Sequence, residues 1–156
     1  MAERLGVPQD EARRFIDDYF AAYAHVRRFT QELVQRARDT GWATTILGRR
    51  LRLPDLHSEA PGRRAAAERV AINAPIQGSA ADLIKLAMIR LQARLPEVAP
   101  GARLILQVHD ELVFDVPEGD VEQVSALAQS EMASALELEV PLVVDVGIGR
   151  NWAEAH

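Results

Sequence analysis

The stretch LILQVHDELVFDVPEGD, residues 104–120, sets two apolar runs on either side of His109, Asp110 and Glu111. Two β-prone runs that close together read as an antiparallel hairpin, with arms over residues 103–108 and 112–116. Alternation puts Leu104, Leu106 and Val108 on one face and Ile105 and Gln107 on the other, so both arms are expected to be largely covered. The tip is the anomaly. Tight hairpin turns favour Asn-Gly or Asp-Gly, and neither of the two adjacent carboxylates supplies the positive φ such turns need. The acids also repel each other unless a cation or positive partner offsets them. Two readings stand: an ordinary solvated turn, or carboxylates on a rigid mount for a hard cation such as Mg²⁺, which takes one or two carboxylates and fills its shell with waters and phosphates. On an extended segment successive side chains face opposite ways, so Asp110 is expected to be the direct ligand and Glu111 an outer contributor. His109 is a hydrogen-bonded turn residue or a donor to a nucleic-acid strand beside the metal.

The rest of the chain frames this hairpin. Pro8, Asp10 and Glu11 open a helix whose apolar positions run from Ala12 to Tyr23, and a shifted stripe from Val26 to Ala37 continues it after a break near Ala24-His25, with Gly41 as the stop. WATTILGRRLRLP, residues 42–54, predicts a short hairpin around Gly48 with a basic far arm. Residues 63–95 are helical in pattern, but Pro75 lacks the amide donor and predicts a break or kink, with two helices meeting at Asn73-Ala74-Pro75. A helix over 118–138 and a final strand in PLVVDVGIG follow. Helices and strands are segregated, so the expected class is α+β in a single domain.

Composition narrows the function. The 156 residues carry a net charge of −5 and no cysteine, which excludes disulfides and thiolate metal sites and suits a cytoplasmic setting. No run approaches a membrane span, and the N-terminus lacks a signal-peptide core. Charge is unevenly spread: residues 1–94 hold 16 Lys/Arg against 11 Asp/Glu, and residues 95–156 hold 2 against 12. Arg49, Arg50, Arg52, Arg63, Arg64 and Arg69 cluster in the basic part, either as a salt-bridged face or as a surface that neutralises phosphates.

AERVAINAPIQGSAADLIK, residues 67–85, adds a second constellation. Arg69, Asn73 and Gln77 are four apart and fall on one side of a helix. Side chains of this kind reach sugars and the minor-groove acceptors that all base pairs share, or they satisfy backbone groups freed by Pro75. Gly78 and Ser79 allow close approach of a backbone or of a neighbouring helix. Leu83, Ala87 and Leu91 have core spacing, which leaves Asp82 and Lys85 as flanking or pairing residues. No phosphate-cradling loop, zinc spacing or Ser-His-Asp order is present.

AERVAINAPIQGSAADLIKLAM followed by LILQVHDELVFDVP resembles the C-terminal part of the family A DNA polymerases of the bacterial DNA polymerase I type, and QVHDELV resembles that family's third catalytic motif. DEARRFIDDYFAAYAHVRRF, GWATTILGRRLRLPDLHS and GIGRNW extend the likeness over essentially the whole chain. The resemblance implies an antiparallel palm sheet with a catalytic hairpin packed on helices, with residues 1–41 as helices bordering the fingers and 42–156 as palm. It implies Mg²⁺-dependent addition of a deoxynucleoside triphosphate to a primer 3′ end on template-primer DNA, with two ions in the complete enzyme. Asp110 and Glu111 are then the catalytic, metal-binding acids, and Arg69, Asn73, Gln77, His109, Arg63 and Arg64 contact DNA. Two family elements have no match: the first aspartate motif, of the kind DYSQIE, and the nucleotide-binding helix. Ala24 and Ser79 stand where the family often has proline and threonine. The expectation is a fragment, a cut piece or half of a split bacterial polymerase, that is inactive without the missing upstream segment. A DNA-binding module without chemistry and a self-associating fragment are the alternatives.

Overall fold

The computed structural model describes residues 6–155; Met1–Leu5, where the start of the N-terminus was read for a signal peptide, and His156 lie outside them. The chain forms two compact units, residues 1–76 and 77–156.

In the first unit, helix α1 (Gln9–Ala22) and helix α2 (Ala24–Thr40) are separated at Tyr23, whose φ of −116° and ψ of 57° interrupt the helical run where the shift of apolar phase predicts it. Gly41 ends α2 at φ 79°, and its amide donates to the Ala37 carbonyl, a left-handed cap that a residue with a Cβ adopts only under strain. Strands β1 (Trp42–Thr44) and β2 (Arg50–Arg52) then pair antiparallel, with Gly48 at φ 83° in the loop. The core beneath them is built from Ala37, Ala43, Leu53, Leu56, Ala67 and Ala71, so small side chains bring backbones close. Arg38 ties α2 to the following helix through a 2.5 Å ion pair with Glu68.

That helix, α3, runs without interruption from Pro61 to Val98. The expected break at Pro75 does not occur. A proline removes one hydrogen bond and bends a helix, but it ends one only where nothing else holds the next turn. Here Ala67 and Ala71 sit in the first unit's core, and Ala87, Leu91 and Leu95 sit in the second's.

In the second unit, Ala87, Leu91 and Leu95 of α3 pack with Ala99 and Ala102 and with Val124, Leu127 and Ala128 of helix α4 (Val121–Ala133). Leu112, Phe114 and Val116 lie against this cluster. Arg94 pairs with the buried carboxylate of Glu131, and Arg90 donates to the Ser134 carbonyl at 2.8 Å. Asp82, expected as a flanking or pairing residue of α3, is buried, which rules out the flanking surface position and leaves the pairing one. α4 begins at 121 after a 3₁₀ turn (Glu118–Asp120) and stops at 133, shorter than the pattern predicts.

Strand β3 (Arg103–Val108) pairs antiparallel with β4 (Glu111–Asp115), six residues against five. The extra residue is Ile105: Leu104 opposes Phe114, and Leu106 opposes Val113. This bulge corrects the expected face assignment, because Leu104 and Leu106 now fall on opposite faces. Covered arms are also corrected: Ile105 and Leu106 are exposed, Leu106 having left the side on which Leu112 and Phe114 meet the core.

The final strand expected at 141–149 is not formed; the segment is without regular structure. Among the described residues it pairs with neither sheet; the two hold β1–β2 and β3–β4 alone. The chain closes with helix α5 (Trp152–Ala155), where Asn151 Oδ1 accepts from the Glu154 amide and Glu154 Oε2 accepts from the Arg150 amide. The architecture is α+β, as the order of elements predicts. No helix of the described residues is long and apolar enough to cross a membrane.

Candidate active site

The β3–β4 hairpin sets the geometry of the candidate site. Val108 and Glu111 are the last paired residues, so the loop contains two residues, His109 and Asp110. His109 has φ 52°, the only positive φ of a non-glycine residue among those described. A two-residue hairpin with positive φ at its first loop position is the setting in which glycine is normally selected. Imidazole-bearing residues tolerate the left-handed region better than most, yet the conformation still costs on the order of 1 kcal/mol. Gln107 holds it: its Nε2 donates to the His109 carbonyl oxygen at 2.5 Å. The sequence reading gave Gln107 no role, although a lone polar residue inside the apolar arm was the available signal.

His109 and Asp110 are exposed, and Glu111 is half-buried. Register assigns Glu111 to the face shared by Val108, Val113 and Leu106, away from the face of Leu112 and Phe114. Asp110 lies in the turn, not on an extended strand, so the opposite-faces argument applies to Glu111 and does not constrain Asp110. Among the described residues no group of three or more His, Cys, Asp or Glu side chains assembles to hold a metal ion. Two neighbouring carboxylates at a hairpin tip nevertheless fit the donor set of Mg²⁺, for which one or two protein carboxylates with waters and phosphates suffice.

The helical constellation lies on α3. Arg69, Asn73 and Gln77 are all exposed residues of α3. Among the described residues, neither the Asn73 nor the Gln77 side chain makes a hydrogen bond. Arg63 is exposed, whereas Arg64 Nη1 donates to the Ser58 carbonyl at 3.1 Å and helps fix the loop before α3. Arg63, Arg64, Arg69 and Asn73 belong to the first unit, and Gln77, His109, Asp110 and Glu111 to the second.

Known proteins are similar to this chain in sequence and fold. The profile of DNA polymerase family A matches residues 1–154. DNA polymerase I of Mycobacterium tuberculosis strain H37Rv is 48% identical over 157 residues, covering 100% of this chain and 17% of that protein. The thermostable DNA polymerase I of Thermus thermophilus is 44% identical over 155 residues, covering 99% of this chain and 18% of that protein. Among solved structures, the POL domain of Pol1 from M. smegmatis in complex with DNA primer-template and dNTP superimposes with a TM-score of 0.94 at 44% identity, over 99% of this chain and 27% of that one. The chain thus spans about a sixth of the length of the curated relatives it matches. With a family profile covering 154 residues and near-half identity along the whole chain, the protein belongs to DNA polymerase family A.

Proposed function

We propose that this chain supplies the palm-side catalytic hairpin, and a strip of DNA-contacting helix, to a DNA-directed DNA polymerase. Residues 1–41 border the fingers and residues 42–156 form part of the palm. The observation that carries the reading is the strained tip: His109 holds a positive φ where glycine would be cheaper, directly before Asp110. In this reading Asp110 holds a divalent ion beside the primer terminus, and Glu111 contributes from the neighbouring strand. Magnesium, when bound, supplies activation of the primer 3′-hydroxyl and charge neutralisation on the departing pyrophosphate. His109 donates to the DNA strand near the primer end. Arg69, Asn73 and Gln77 reach the minor groove from one face of α3, Arg63 meets the backbone, and Arg64 holds the preceding loop while lending its charge. The family's other catalytic aspartate and its nucleotide-binding helix have no match within residues 1–156, so template-directed extension draws on the rest of a polymerase.

A chimaera tests this directly: residues 6–155 replace the matching segment of the M. smegmatis polymerase domain, and primer extension with Mg²⁺ is measured. Activity within about tenfold of the parent supports the reading; a folded chimaera that binds primer-template but never extends it contradicts the reading. In that chimaera His109→Gly separates strain from chemistry. Removing the positive-φ penalty offsets the larger chain entropy of glycine, so stability is unchanged or rises by up to about 1 kcal/mol, while extension falls at least about tenfold. A loss of stability with full activity would make His109 a plain structural turn residue. Arg69→Ala weakens primer-template binding evenly across DNA sequences and lowers the slope of log affinity against log salt by about one. Fluorescence anisotropy at several salt concentrations measures both.

The apolar residues exposed on α1, on α2 and at Tyr23 between them, among them Phe15, Tyr19 and Phe29, favour a covering partner for this chain on its own. Sedimentation at rising concentration is expected to show self-association of the isolated chain and none in the chimaera.

A further inference from the structure

The solvent side of the β1–β2 ribbon carries an arrangement that the catalytic reading does not use. Register sets Trp42 opposite Arg52 and Thr44 opposite Arg50. Paired residues share a face, so these four side chains stand on one side, while Ala43 stands on the other and is buried in the core. The Arg50 guanidinium carbon lies 5.5 Å from the centroid of the Trp42 ring, whose residue is 37% exposed. Arg50 and Arg52 are exposed, and no carboxylate pairs with either among the described residues. From Thr40 to Pro54 the sequence has three arginines and no acidic residue.

We propose that this face, Trp42 with Arg50 and Arg52, is a stacking and phosphate-binding platform for a single-stranded segment of nucleic acid. An unpaired base extends the indole–guanidinium stack, on the guanidinium plane or on the open part of the ring. Arg50 and Arg52 are two residues apart on one strand, roughly 6.6 Å, a separation suited to successive phosphates of an extended chain. Duplex bases have their flat faces covered by their neighbours, so stacking discriminates in favour of single strands without reading sequence. The platform stands independently of the β3–β4 chemistry.

The test uses the full chain with a Trp152→Phe background, which leaves Trp42 as the sole tryptophan of the two. Anisotropy is measured with a fluorescent mixed-sequence single-stranded 12-mer and with a blunt duplex of the same length. Binding of the single strand is expected to quench Trp42 emission. Trp42→Ala weakens that binding about 5- to 100-fold and duplex binding less than twofold, and Trp42→Phe retains most of the affinity. Arg52→Gln weakens single-strand binding and lowers its salt slope by about 0.7, the increment for one phosphate contact on a single strand. Circular dichroism checks that each variant is folded. If Trp42→Ala unfolds the chain, Arg52→Gln and the quenching decide. Absent quenching, unchanged single-strand affinity, or equal losses for single strand and duplex would each overturn the proposal. Since no extension is measured, these results are separate from success or failure of the catalytic chimaera.

Discussion

Asp110→Ala in the chimaera extends primers at least about 10³-fold more slowly than the unsubstituted chimaera, with its affinity for primer-template within about threefold. The magnitude follows from the carboxylate's proposed task. Supporting charge at the reacting phosphoryl group through a bound cation is worth several kcal/mol, and each 1.36 kcal/mol is a factor of ten in rate. The effect falls on the chemical step, because Asp110 lies in a two-residue turn and buries nothing in the core of its unit. Fold and stability therefore hold. Glu111→Ala costs less: Glu111 sits in the ladder opposite Val108 and is half-buried, which suits a supporting position. Rapid-quench extension with paired anisotropy separates the rate from binding. Equal losses at both positions would leave the assignment of Asp110 as direct ligand without support.

The second large effect is on stability. Leu91 is 0% exposed, between Ala87 and Leu95 on α3 and among Val124, Leu127 and Ala128. Leu91→Ala removes buried methyl and methylene groups and leaves a cavity that the surrounding helices fill only in part. The cost is roughly 2–5 kcal/mol. Ile89, two residues earlier on the same helix, is 67% exposed, and Ile89→Ala stays within about 0.5 kcal/mol. Urea unfolding of the chain monitored by circular dichroism measures both. Similar midpoints for the two variants would mean that α3 does not carry the second unit's core.

The hairpin and its two-residue tip were legible because their signals are local. A residue pair that conflicts with turn chemistry is visible in the sequence, and the structure expresses the conflict as the positive φ of His109. The junction of α1 with α2 and the end of α2 were legible for the same reason, since the shift of apolar phase near Tyr23 and Gly41 act within a turn or two. What failed depends on partners distant in sequence. Pro75 is a strong local breaker, but the alanines and leucines on either side of it are held in two cores, and no window around Pro75 contains that information. The bulge at Ile105 arises from pairing six residues with five, which alternation within one arm cannot reveal. Residues 141–149 have strand composition, but strand formation needs a paired partner, and among the described residues the segment joins neither sheet. For Asp82 the flanking and pairing positions were both open in the sequence, and its helical position turns it inward.

The central claim is that the β3–β4 tip holds a catalytic divalent ion through Asp110. Electron paramagnetic resonance of Mn²⁺ bound to the chimaera, with a chain-terminated primer-template and an incoming nucleotide, measures that ion without relying on turnover. The account predicts that Asp110→Ala weakens Mn²⁺ binding at least tenfold while Leu106→Ala, on the exposed flank of the same hairpin, leaves it unchanged; Mn²⁺ binding that is the same with and without the Asp110 carboxylate would contradict it.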